Sequence, residues 1–357
     1  MTFPTYRGNL TWLQERTILL TRHGSHAYGT NIATSDEDFK GVCVPPREYL
    51  HGFMHVFEQA EGKDPDLVVY DIRKFMRLAA DCNPSIIEIL WTSSEDWLHV
   101  EKFVGDALLD ERATLLSTKC RHTFSGYAVS QLKRIKLHRR YLLDPPKAPP
   151  TRGEFGLPDR TLIPADQIAA ANAAVEKKLA EWEPHFVEGD EAAKIATKNK
   201  MAAVLAEIVT NSEDTWSAAA RSIGMDDNLI RVMQKEREYA ARSREWQKYR
   251  EWKENRNEAR AGLEAKHGYD TKHGMHLVRL MRMCREILER GEVVVKRPDR
   301  EELLAIRAGA WTYEQIVEWA EKEDAALDDV AKASKLPHHP DRKKLDALCQ
   351  RIVESMI

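Results

Sequence analysis

RHGSHAYGTNIATSDEDFKGVCV, residues 22–44, is the stretch on which the reading of the whole chain turns. An apolar run, Thr17-Ile18-Leu19-Leu20, leads into Gly24-Ser25. Ser35-Asp36-Glu37-Asp38 follows, ahead of the apolar Val42-Cys43-Val44. Side chains two apart on a strand point to the same face, so a strand carrying Asp36 and Asp38 turns both carboxylates to one point. Two carboxylates with no basic residue between them suit a hard divalent cation such as Mg2+. Gly-Ser after a strand makes a tight turn whose backbone N–H groups and hydroxyl can hold an anion. A phosphate cradle beside a metal-binding pair is the equipment for phosphoryl or nucleotidyl transfer. An isolated Asp-x-Asp means little in a chain with 57 acidic residues; the Gly-Ser ahead of it is what sets it apart from a solvated acidic turn.

The composition agrees with a globular protein. At 357 residues the chain can form two domains, and 43% apolar residues with nine Trp argue against disorder. A net charge of -3 excludes a generally basic nucleic-acid coat, though not a local basic groove. Cys43, Cys82, Cys120, Cys284 and Cys349 are scattered, with no C-x-x-C pair, which points to a reduced intracellular setting rather than a zinc ribbon. No apolar span is long enough to cross a membrane, so a soluble cytoplasmic protein is expected. His51 and His55, at i, i+4 without a surrounding helical period, read as a loop, as does His338-His339-Pro340.

Around the opening stretch, Thr17–Arg22 reads as a first strand, His26–Gly29 as a short helix and Asp38–Val44 as a second strand stopped by Pro45-Pro46. Leu67-Val68-Val69-Tyr70 is a third strand. From Ile72 the apolar positions Ile72, Phe75, Met76 and Ala79 take a helical period, which makes Asp71 an N-cap. Asn83-Pro84 opens another helix, in which Glu88 reads as an acid favourable to the helix dipole.

These residues resemble the DNA polymerase β-like nucleotidyltransferase superfamily, whose signature is Gly-Ser, a short helix and then Asp-x-Asp on the next strand. Ser35-Asp36-Glu37-Asp38-Phe39-Lys40-Gly41-Val42, Tyr70-Asp71-Ile72-Arg73-Lys74-Phe75 and Asn83–Leu90 narrow the resemblance to one branch, the nucleotidyltransferases linked to RNA repair and RNA ligases. Ser130–Arg134 and Gly268–His276 are similar to that branch too, so the likeness covers residues 10–150 and 265–310 but not the middle. It implies a third carboxylate on a neighbouring strand. Asp66 and Asp71 compete for that place; Asp71 already has an explanation as a cap, and the resemblance favours Asp66.

Lys119, Arg121, Lys133, Arg134, Lys136, Arg139, Arg140, Lys147 and Arg152 form a basic tract opposed by Asp144 alone. It reads either as the solvated face of a Tyr127–Leu143 helix or as a patch for an RNA backbone or a triphosphate. A Pro-rich linker to Pro150 follows. Residues 165–265 read as a charged helical insertion: Gln167–Trp182 and Glu191–Ile208 are Ala-rich, and Asn228–Lys266 is a long charged helix or hairpin, whose Trp246 and Trp252 either stack on bases or, as helical spacing favours, form its packing side. A helix over Thr271–Arg290 is bracketed by an Asp270 or Thr271 cap and by Gly291. Its apolar stripe is Leu277, Leu280, Met281, Cys284, Ile287 and Leu288, and Lys272, His276 and Arg279 run as a cationic row along one edge. That row either pairs with acids of another helix or closes over a triphosphate.

The expected fold class is α+β: a small mixed-sheet nucleotidyltransferase core over residues 1–116, then a mostly helical region over 117–357. The resemblance implies transfer of a nucleoside monophosphate from a nucleoside triphosphate to an acceptor hydroxyl, with an RNA end favoured. Gly24, Ser25, Lys272, His276 and Arg279 would bind the nucleotide, and Asp36, Asp38 and Asp66 would hold two Mg2+ ions. Nucleotidylation of a protein, or a module that binds nucleotide or RNA without catalysis, are the alternatives. The presence of all three carboxylates argues against the last. No membrane partner is expected, and the oligomeric state is not legible.

Overall fold

A computed structural model describes residues 3–161, 163–182, 215–256 and 258–357. The expected Glu191–Ile208 helix lies outside the described residues. Two compact units emerge: one joins residues 1–143 to 257–357, and the other spans 144–256. The expected boundary at 116/117 does not coincide with the division between them. Among the described residues no helix is long and apolar enough to cross a membrane.

The first unit is built on a mixed five-stranded sheet, in the order β3-β4-β2-β1-β5. The strands are β1 (Thr17–His23), β2 (Asp38–Cys43), β3 (Gln59–Lys63), β4 (Asp66–Asp71) and β5 (Trp97–Val100). β2 runs antiparallel to β1 and parallel to β4, while β3 and β5 pair antiparallel at the two edges. The central strands are the apolar ones, because both of their faces are covered. Ile18, Leu19, Val42 and Val44 pack with the Ile72–Ala80 helix on one side, and Leu20, Phe39, Leu67 and Val69 join Leu13 and Phe57 on the other. β3 and β5 were not legible beforehand. β3 reads Gln-Ala-Glu-Gly-Lys and buries only Ala60, and β5 is four half-buried residues.

The C-terminal helix, Arg342–Met356, returns to this sheet layer. Its Leu345, Leu348, Cys349 and Ile352 share the cluster with Phe75, Met76 and Ala79. A second core is helical. Within it the Thr271–Arg290 helix packs with Cys120–Leu143, Arg300–Arg307 and Tyr313–Ala333. Asp270 caps Thr271–Arg290 by accepting from the His273 N–H, and Gly291 closes it in the left-handed region at φ 70°. Its burial goes well beyond one stripe: Met275, Val278, Arg279 and Met283 are buried as well, because neighbours pack on several sides. The Cys120–Leu143 helix starts seven residues before the expected Tyr127, since the buried Cys120, Phe124 and Ala128 continue one apolar face through Gly126.

The second unit contains the helices Ala165–Trp182, Thr215–Ser222 and Asp227–Glu254. Val175, Trp216, Ala219, Ala220, Ile230 and Met233 form its core. The buried Glu236 holds Arg152 at 2.5 and 3.0 Å.

Candidate active site

The turn after β1 is a five-residue helix, Gly24–Tyr28, closed by Gly29 in the left-handed region. Gly24 itself has φ +63°, and a Cβ built on it would lie 1.8 Å from the Asp38 Oδ2. Only a residue without a side chain lets the turn approach that carboxylate so closely. The spacing between the Gly-Ser turn and the acidic segment therefore has a steric meaning: Gly24 and Asp38 come into close contact.

Asp38 opens β2, whereas Asp36 precedes the strand, in the loop. The expectation that one strand carries both is corrected on that point: pairing with β1 begins at Asp38 opposite His23. Asp66 is the register partner of Asp38 on the parallel neighbour β4. Asp71 lies at the far end of the same strand, is buried, and accepts from the Arg73 backbone N–H at 2.7 Å as the cap of Ile72–Ala80. It is not among the residues around the cavity described next, so the geometry groups Asp66, not Asp71, with Asp36 and Asp38.

The eight residues expected to bind nucleotide or metal meet at one cavity of about 690 Å3. Its wall includes Gly24, Ser25, Asp36, Asp38 and Asp66 from the sheet side, and Lys272, His276 and Arg279 from the Thr271–Arg290 helix. Partial burial raises the Asp38 carboxyl above the ordinary carboxylate range, and the Asp66 carboxylate beside it adds to this; Lys40 and Lys272 pull the other way. Crowded carboxylates with a disfavoured negative charge are a set that a hard cation relieves, and their oxygen chemistry fits Mg2+.

The row expected over Lys272, His276 and Arg279 is not uniformly cationic. Desolvation, followed by the charges of Arg279 and Lys272, holds the His276 imidazole well below its usual pKa, so it is neutral near pH 7. Arg279 is 5% exposed; its Nη1 reaches Glu88 Oε1 at 2.7 Å, and its guanidinium lies 3.7 Å from the centre of the Tyr28 ring. Pairing with an acid of another helix, the first of the two readings of the row, describes Arg279.

Glu88 does more than favour a helix dipole. It is buried, it accepts from the Tyr28 hydroxyl and from Arg279, and the neutral-held His23 lies 3.7 Å away. The visible clue was a single carboxylate inside the apolar run Ile86-Ile87-Glu88-Ile89-Leu90. Lys40, two residues beyond Asp38 on β2, and Arg307, which donates to the Thr30 carbonyl at 3.2 Å, also border the cavity. Lys40 was foreshadowed by the period of two; Arg307 was not, because it comes from a distant helix.

The basic tract is largely spent within the fold. Lys119 pairs with Asp81, Arg121 with Asp324 and Asp328, Lys136 with Glu321, and Arg139 with Glu314 while lying over the Tyr313 ring. Lys133 and Arg134 are exposed.

With this geometry in view, residues 10–141 match RlaP, the RNA repair pathway DNA polymerase beta family. An uncharacterized 38.9 kDa protein of Enterobacteria phage T4, from the nrdC-mobD intergenic region, is 32% identical over 131 residues, which is 32% of this chain. The match spans 38% of that relative's length. No solved structure matches the chain.

Proposed function

From the match of residues 10–141 to the RNA repair pathway DNA polymerase beta family, we propose that the protein is a Mg2+-dependent nucleotidyltransferase acting on an RNA end. The observation that carries this is the single cavity bordered by Gly24, Ser25, the three carboxylates and Lys272. The acceptor hydroxyl attacks the α-phosphorus of a nucleoside triphosphate. A bond from the acceptor oxygen to the α-phosphorus forms as the hydroxyl proton is lost to water, the bridge to the β-phosphate breaks, and pyrophosphate leaves with the electron pair. Asp36, Asp38 and Asp66 would hold two Mg2+ ions, which when bound stabilise charge on the attacking and leaving oxygens. Gly24 and Ser25 receive the β- and γ-phosphates, and Lys272 and Lys40 balance their charge. The neutral His276 donates a hydrogen bond to a phosphate oxygen rather than adding charge. Arg279 serves as a positioning residue: its Nη1 is committed to Glu88, and its guanidinium holds Tyr28 against the turn.

RNA is favoured as the acceptor by the family's RNA-repair character and by the exposed Lys133 and Arg134. The test is an Asp36→Ala/Asp38→Ala variant given labelled triphosphate, Mg2+ and RNA with a free 3′-hydroxyl. Loss of label transfer with the fold intact is expected; transfer at the wild-type rate would refute the reading. Label recovered on protein instead of RNA would move the acceptor to a protein hydroxyl.

A further inference from the structure

Away from the carboxylate trio, two helices bring together a different donor set. His138 lies on Cys120–Leu143, Asp270 caps Thr271–Arg290, and His273 lies in that helix's first turn. Asp270 is fully buried and the two imidazoles are half-buried. The Asp270 carboxylate divides its work. Oδ1 accepts from the His273 backbone N–H at 3.1 Å, while Oδ2 faces both rings, 3.4 Å from His273 Nε2 and 4.0 Å from His138 Nδ1. One donor atom from each of the three residues lies within 4.8 Å of the other two.

We infer that His138, Asp270 and His273 form a binding site for a zinc-class divalent cation that joins these two helices. Imidazole and carboxylate ligands bind Zn2+ at about 2.0–2.2 Å, which in a tetrahedron puts neighbouring ligand atoms about 3.3–3.6 Å apart. The two separations from Oδ2, 3.4 and 4.0 Å, lie at or just beyond that spacing. Two nitrogens and one oxygen select a borderline metal over Mg2+, which demands oxygen ligands and near-octahedral geometry. The site is therefore chemically distinct from the carboxylate trio. Its position gives it a consequence: Lys272 and His276, which border the candidate active-site cavity, flank His273 on the helix that the ion would anchor.

The experiment uses the full chain, stripped with a chelator and dialysed against Zn2+ in a large excess of Mg2+. Bound metal is measured by mass spectrometry, and melting is followed by circular dichroism. One equivalent of Zn2+ and a raised Tm are expected for the wild type. His138→Gln and His273→Gln should each weaken uptake at least tenfold and abolish the Tm rise, while Asp36→Ala/Asp38→Ala should retain both. Equal Zn2+ uptake by folded His138→Gln and wild type overturns the assignment. So does a wild type whose Tm ignores Zn2+, which would leave a trio that only exchanges hydrogen bonds.

Discussion

At the scale of single residues, Asp38 and Gly24 set the terms of the site. The folded-state pKa of Asp38 is raised, so its ionisation opposes folding: the fold is favoured below the ordinary carboxylate pKa of about 4 and loses that advantage as pH rises through the raised value. Asp38→Asn should therefore melt higher than wild type at pH 7 in chelator, with the gap closing at pH 3.5, while transfer activity is lost. A variant that melts lower at pH 7 would contradict the crowding. Gly24→Ala meets two obstacles, a φ of +63° and the Asp38 Oδ2. Left-handed backbone costs a residue with a side chain roughly 1–2 kcal/mol, and the displaced carboxylate should lower transfer by orders of magnitude. Steady-state kinetics on the folded variant check this.

At the scale of elements, the Thr271–Arg290 helix is both core and cavity wall, and the buried Glu88–Arg279 pair is where the two roles meet. Removing one member of a buried pair strands a charge and costs roughly 3–5 kcal/mol, whereas replacing both by apolar groups of similar size is often nearly neutral. Arg279→Met and Glu88→Leu should each lower stability sharply in chemical denaturation, and the double variant should recover much of the loss. Additive losses would show that each side chain has independent partners. The helix and both its ends were legible from Asp270, Gly291 and the apolar spacing, since those signals are local. The depth of Arg279 was not, because it depends on what packs against the far side.

At the scale of the whole molecule, the sheet of the first unit rests on a helix more than 240 residues away in sequence. Leu345, Leu348 and Ile352 are buried against the Ile72–Ala80 layer. Large aliphatic side chains contribute about 1.5–3 kcal/mol each on burial, so the three supply roughly 5–9 kcal/mol as an upper bound. Against a typical domain stability of about 5–15 kcal/mol, a chain ending at residue 340 should fail to melt cooperatively or should aggregate. A cooperative melt at the wild-type Tm would overturn this. The sequence by itself determined what rests on local chemistry: the Gly-Ser turn, the acidic segment, β1, β2 and β4, the Asp71 cap, and the α+β class. Only the tertiary structure decided what rests on long-range pairing. It placed the polar edge strand β3, set Asp66 beside Asp38, consumed most of the basic tract in ion pairs, and sank Arg279 onto Glu88. The reason is physical: turn, cap and periodicity signals are written in neighbouring residues, whereas burial and charge pairing are properties of partners that the chain brings together only when it folds.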